Sequence, residues 1–150
     1  MKILRVLSTY LLFLAFDQGT KYFVISRMSI GQSVPILEGL LYLTYVQNPG
    51  GAFGVFSQNR EFLIVTSLLL MAILIFYWRN MNRYKRTGIL PVVLIFSGAS
   101  GNLFDRIFYG AVVDFIDLRI WPVFNLADLF IIIGLGVFFY QSLKVQKEPG

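Results

Sequence analysis

The chain has 150 residues, 57% of them hydrophobic, with a mean hydropathy of +0.70 and a net charge of +5. A soluble helical bundle carries a polar stripe along each helix; the apolar blocks here carry almost none, which excludes an ordinary soluble domain. Histidine and cysteine are both absent, which removes a cysteine nucleophile, a histidine general base, an ordinary zinc site and any disulfide.

The apolar residues fall into four blocks, and a helix needs roughly 20 such residues to cross the hydrocarbon core. The expected architecture is an all-α membrane protein of one domain, with transmembrane helices at about 3–25, 62–79, 88–107 and 126–143 and a small extracytoplasmic β-element. Lys2 and Arg5 precede the first span, Arg79, Arg83, Lys85 and Arg86 crowd the link between the second and third, and Lys144 and Lys147 follow the fourth. Positive residues mark the cytoplasmic side, so this distribution explains the net charge without nucleic acid. It places both termini inside and Lys21–Glu61 and Asp105–Asn125 outside. The basic start and apolar run resemble a signal peptide, but Leu14–Ala15–Phe16–Asp17 is not a small-residue cleavage site, so a retained anchor is expected.

In the first span Asp17 lies thirteen residues after Leu4, roughly 20 Å along the axis and in the outer half of the bilayer. Lys21 follows four residues later, the spacing that stacks two side chains on one face. The pair reads as structural support for two charges near the membrane; the alternative is a proton relay or catalytic member. Next, Ser33–Leu37 and Leu40–Gln47 are strand-like runs separated by Glu38–Gly39, which predicts a hairpin. Asn48–Gly54, with three glycines and a proline, is either a connector or a site wall where Gly50 admits a substrate backbone and Asn48 supplies an amide. The second span, over Phe62–Trp78, has no charge and only Thr66 and Ser67 as polar side chains, and looks like scaffold. The third carries Ser97–Gly101, a patch of small residues that permits close helix packing. The GxSG string within it does not make a serine protease, because no histidine exists to activate Ser100.

The region Gly101–Asp128 is the densest in polar residues, with four aspartates, two arginines and two asparagines between apolar segments. Asn102 and Arg106 share a helix face, and Asp105 reads as a simple helix-end charge. Gly110–Asp117 reads as an extended piece, with Asp114 on one face and Asp117 on the other. Asp128 falls in the first turn of the fourth span, where the helix dipole favours a carboxylate. Asp114 and Asp128 therefore arrive at the same outer interface. Two close carboxylates share a proton near neutral pH, and such a pair can activate water and protonate a leaving amine. Chemistry alone leaves aspartyl hydrolysis level with a structural or transport role.

The residue strings resemble lipoprotein signal peptidase (signal peptidase II). Five blocks match in the family's order: Asp17-Gln-Gly-Thr-Lys21, Asn48-Pro-Gly-Gly-Ala-Phe53, Gly101-Asn-Leu-Phe-Asp-Arg106, Val113-Asp-Phe115 and Phe124-Asn-Leu-Ala-Asp128. The resemblance implies catalytic roles for Asp114 and Asp128, substrate contacts from Asn48, Gly50, Asn102, Arg106 and Asn125, and structural support from Asp17 and Lys21. It implies an intramembrane aspartyl endopeptidase of the bacterial inner membrane that cuts diacylglyceryl-modified prolipoproteins just before the lipidated cysteine. No cofactor or metal is implied. Membrane lipids, the prolipoprotein and the cyclic peptide globomycin are the implied partners, and a monomer is expected. The chain departs from the family in Ser97, where a glycine is usual, and in a short link from Asp114 to Asp128. The competing reading is a small four-span proton or cation transporter subunit using Asp17, Asp105, Asp114 and Asp128. A path across the membrane needs polar groups at several depths, whereas here they collect at one side.

Overall fold

The computed structural model describes residues 2–50, 60–83 and 88–146. Four helices, α1 (Lys2–Arg27), α2 (Arg60–Arg83), α3 (Leu90–Phe108) and α4 (Leu126–Gln146), carry three strands, β1 (Ser33–Leu37), β2 (Leu41–Asn48) and β3 (Val112–Asp117). The Gly51–Gly54 part of the glycine-rich motif, with Lys85, Arg86 and Lys147 of the basic clusters, lies outside the described residues.

α3 is the central helix and packs on α1, α2 and α4. Pro91 opens it, where a missing N–H costs nothing. Gly110, at φ 80, lets the chain leave past the Tyr109 cap, whose N–H bonds to the Asp105 carbonyl at 2.8 Å. Arg60 of α2 grips the same end, donating from Nε to the Arg106 carbonyl (2.7 Å) and from Nη2 to the Ile107 carbonyl (2.6 Å). The small-residue patch acts in packing. A side chain at Gly98 would collide with the Ala127 carbonyl, and one at Gly101 with the Asp17 carboxylate. Ser97 is fully buried and turns its hydroxyl onto the Val93 carbonyl at 2.7 Å, so the hydroxyl is satisfied within its own helix.

The outward faces are apolar: Leu12 and Phe16 on α1, Leu69 and Ile73 on α2, and Ile132 and Phe139 on α4 are all exposed. A soluble monomer does not expose an apolar surface of this extent. Arg60–Tyr77 is long and apolar enough to cross a bilayer by itself, and Leu126–Gln141 is a shorter apolar helix. In α1 and α3 polar residues interrupt the apolar run, and Asp17, Lys21, Asn102 and Asp105 all turn inward.

The expected hairpin is β1–β2, turning through Gly39 at φ 77. β3 then adds to the other edge of β2, antiparallel, with Val46 opposite Asp114 and Asn48 opposite Val112. Tyr45, Val113 and Phe115 of this sheet pack on Val24 in a buried cluster, which seats the sheet on the end of α1. The sheet thereby delivers Asn48 and Asp114 to the helix ends that carry Asn102 and Asp128.

Candidate active site

The start of α4 is built by a reciprocal cap. Asn125 Oδ1 accepts from the Asp128 N–H (3.0 Å), and Asp128 Oδ2 accepts from the Asn125 N–H (3.3 Å). This is the capping-box arrangement, which satisfies two backbone donors with no other helical partner. A third, the Ala127 N–H, bonds to Asp17 Oδ1 at 3.0 Å. The cap therefore fixes the Asp128 carboxylate at the helix mouth.

Asp114 comes from β3 and is 2% exposed. Its Oδ1 accepts from Asn125 Nδ2 (2.6 Å) and its Oδ2 from Asn48 Nδ2 (2.9 Å). Asn125 thus touches both carboxylates: its amide donates to Asp114 while its backbone and side chain cap Asp128. Burial pushes the Asp114 carboxyl up to about 7; the Asn48 bond opposes this, the Asp128 charge adds to it, and the Asn125 bond and the Lys21 charge oppose it further. A carboxyl at that value can give or take a proton at neutral pH.

Behind the pair lies a buried network from α1 and α3. Asn102 Nδ2 donates to Asp128 Oδ1 (2.8 Å), and its Oδ1 accepts from Asn125 Nδ2 (3.1 Å) and Lys21 Nζ (3.0 Å). Lys21 spends its other two donors on Asp17 (3.0 Å) and Asp105 (2.8 Å). Lys21 is 1% exposed and both of these aspartates 0%. A buried ammonium is tolerable only when paired and fully hydrogen-bonded, and here all three donors are used.

Asp105 is not the simple helix-end charge that its position indicated. It accepts from Lys21, from Gln18 Nε2 (3.1 Å) and from the Val113 N–H (3.1 Å), so it bolts α1, α3 and β3 together beside Asp114. Gln18, which also donates to Asp17 (3.1 Å) and the Gly101 carbonyl (3.2 Å), was missed as well. The available signal was spacing: Asn102 and Asp105 stand three apart in a helix and so share a face.

A cavity of about 600 Å³ opens over the pair, walled by Asn48, Asn102, Arg106, Asp114 and Asp128 together with apolar side chains such as Leu70, Ile131 and Ile132. Arg106 reaches from the same face of α3 as Asn102, with Nη1 3.4 Å from Ser67 Oγ of α2, while its buried Nε finds no partner among the described residues. Ser67 thereby joins the cavity wall from a helix whose sequence read as bare scaffold. Gly50 does not line the cavity. Its N–H donates to Asn48 Oδ1 at 3.1 Å, orienting the Asn48 amide so that its NH2 meets Asp114. Asp117 bonds instead to the Thr44 hydroxyl (2.7 Å) and the Arg119 N–H (2.8 Å), away from the pair. Among the described residues, no group of three or more acidic side chains forms a metal site.

Residues 9–144 match the family model described as signal peptidase (SPase) II. The chain is 39% identical over 140 residues to the lipoprotein signal peptidase of Moorella thermoacetica, covering 93% of each. It is 42% identical over 139 residues to that of Halothermothrix orenii, covering 90% of this chain and 94% of the relative. Its fold superposes on a bacterial membrane enzyme solved by the in meso method at 2.3 Å resolution, with a TM-score of 0.83, 28% identity and coverage of 95% of this chain and 90% of that one. A second bacterial membrane enzyme, solved at 1.9 Å by the same method, gives a TM-score of 0.81 at 31% identity, covering 93% of both chains. In sequence along nearly its whole length, this chain belongs to the signal peptidase II family, the lipoprotein signal peptidases.

Proposed function

We propose that this member of the family, a bacterial membrane protease, is an intramembrane aspartyl endopeptidase whose catalytic pair is Asp114 and Asp128. The observation that carries the reading is the shared partner Asn125, which bonds Asp114 and caps the helix holding Asp128, so that both carboxylates face one cavity. The substrate is a prolipoprotein whose cysteine already carries diacylglycerol, cut just before that cysteine. The apolar wall formed by Leu70, Ile131 and Ile132 suits a lipid-bearing segment.

At rest the pair holds one proton. In this reading Asp114, whose carboxyl burial raises to about 7, supplies the proton to the substrate, and Asp128 accepts one from water. Asp128 takes a proton from water as the hydroxyl adds to the scissile carbonyl carbon, while Asp114 gives its proton to the carbonyl oxygen. When the tetrahedral intermediate collapses, the C–N bond breaks, Asp128 returns its proton to the leaving amine and Asp114 recovers the one it lent. Asn102, Asn125 and Asn48 hold the two carboxylates in register, Arg106 offers a cation to the substrate backbone, and Asp17 and Lys21 support the helix ends.

All four helices cross the membrane in this reading, both termini are cytoplasmic and the site lies at the outer face. The protein works as a monomer, and globomycin blocks it. A transport path is disfavoured because the buried polar groups gather at one end of the bundle while α2 is nearly bare.

The test is cleavage in detergent of a diacylglyceryl-modified prolipoprotein and its unmodified form by wild type, Asp114→Asn and Asp128→Asn, all checked for folding. The expected result is cleavage of the lipidated precursor alone, lost in both variants. Retained activity in either variant removes the pair from its role.

A further inference from the structure

Between β3 and α4 the chain makes a closed loop. Its neck is tied by backbone bonds between Ile116 and Phe124, the Ile116 N–H to the Phe124 carbonyl at 2.7 Å and the return bond at 3.0 Å. Leu118, Trp121, Pro122 and Val123 of this loop wall the same cavity as Asp114 and Asp128. Its tip is apolar and open, with Ile120 89% and Trp121 64% exposed, so the tip has little packing of its own to hold it still.

What holds the loop is Arg119, the one non-glycine residue with positive φ (63) among the described residues. That backbone conformation is disfavoured for a residue with a Cβ, and it persists only where surrounding contacts enforce it. Four contacts do so. The Arg119 N–H donates to Asp117 Oδ1 (2.8 Å), Nη1 stands 3.5 Å from Asp117 Oδ2, Nη2 donates to Ser33 Oγ (2.8 Å), and the guanidinium carbon lies 3.7 Å from the centroid of the Tyr42 ring. Thr44 closes the circuit, its hydroxyl 2.8 Å from Ser33 Oγ and 2.7 Å from Asp117 Oδ2. The guanidinium therefore spans all three strands, a job that requires its planar fork and its stacking face together.

We propose that Arg119 is a positioning residue for substrate: by clamping the loop to the sheet, it sets where the Leu118–Val123 wall of the cavity stands. The proposal rests on the peptidase reading above. Its consequence is a separation of roles. Asn48, Asn102 and Asn125 hold the carboxylates, and Arg119 holds the wall against which the substrate segment rests. Loss of the clamp loosens the wall and weakens substrate binding, while the carboxylates stay fixed by the helix cap and the buried network.

The experiment compares wild type, Arg119→Ala, Arg119→Lys and Arg119→Gly for kcat and KM on the diacylglyceryl-modified precursor. A second readout is the fluorescence anisotropy and acrylamide quenching of Trp121 in a Trp78→Phe background, which leaves Trp121 as the sole tryptophan. Arg119→Ala is expected to raise KM about tenfold, the scale of lost hydrogen bonds to a charged group, with kcat within about twofold and Trp121 more mobile. Arg119→Lys keeps the charge but not the fork, and is expected to resemble Ala. Arg119→Gly relieves the backbone while deleting the clamp, and is expected to show the same raised KM. A wild-type KM in Arg119→Gly, or a loss carried by kcat alone, overturns the proposal. So does a lowered melting temperature with KM and the Trp121 signal both unmoved. If wild type itself cleaves nothing, the peptidase reading fails, and an unmoved Trp121 then refutes the clamp separately.

Discussion

Asp114 and Asp117 stand three residues apart on one short strand and are 2% and 5% exposed, yet their surroundings push them in opposite directions. Asp114 faces the helix ends. Burial raises its carboxyl to about 7, and its direct partners, the amides of Asn48 and Asn125, are neutral and do not reverse this. The nearest ammonium, that of Lys21, is already bonded to Asp17 and Asp105. Asp117 faces the hairpin. Burial would raise it too, but the Thr44 hydroxyl, the Arg119 N–H and the Arg119 guanidinium outweigh burial and hold the carboxyl below the usual range. Burial alone therefore does not decide which way a carboxyl shifts. What matters is whether a cation and a hydroxyl donor contact it directly, as Arg119 and Thr44 do at Asp117, and the two ends of β3 differ in that respect.

The widest separation is expected in activity. Asp114→Asn and Asp128→Asn should lower the cleavage rate by about a thousandfold or more, whereas Asp117→Asn should stay within a few-fold of wild type in the same detergent cleavage assay. An equally deep loss in Asp117→Asn would erase the distinction. Next comes the support behind Asp114. Lys21→Ala leaves Asp17 and Asp105 buried without a counter-ion, and should lower stability by about 3–5 kcal/mol, read by thermal unfolding in detergent. Enzyme that survives should keep most of its chemistry. Normal stability with dead chemistry would move Lys21 from support into the reaction.

The pH dependence of stability should then differ in sign between the two aspartates. The folded Asp114 binds its proton more tightly than the unfolded chain, whose carboxyl titrates near 3.8. Its contribution is present below that value and is lost as pH rises through about 7. Asp114→Asn should therefore gain on wild type as pH rises across that window, by on the order of 4 kcal/mol at most. For Asp117 the folded value is the lower one, so its contribution is present above 3.8 and is lost as pH falls through the depressed value. Melting curves of Asp117→Asn should thus approach wild type in acid. Parallel pH profiles for the two variants would show that the two ends of the strand are alike. The smallest effect is expected at Asp117 near neutral pH, where Asp117→Asn should cost about 1 kcal/mol through its weakened bonds to Thr44 and Arg119.

Much of this was legible in the chain itself. Apolar runs of about twenty residues predict four helices near their observed positions, and two β-rich runs around Glu38–Gly39 predict the hairpin, because both signals are local. Asp128 at the start of a helix is also a local feature, and so is the Asp17–Lys21 pair at four-residue spacing. The motif strings Gly101–Arg106, Val113–Phe115 and Phe124–Asp128 pointed to the family whose model the chain matches. The misjudgement of Asp105 has the opposite origin. Its partners are Gln18, Lys21 and the Val113 N–H, two of them more than eighty residues away, and no window of sequence contains them.

The amino-acid order alone determined where the helices and strands form and which stretch collects the polar residues, since hydrophobic period, turn residues and helix-start signals act over a few residues. Only the tertiary structure decided that β3 joins β2 so that Asn48 meets Asp114, that Asn125 serves both carboxylates, and that Lys21 is divided between two buried aspartates and Asn102. Those outcomes depend on how close helix backbones can approach at Gly98 and Gly101, and on which buried polar groups must find partners once water is excluded.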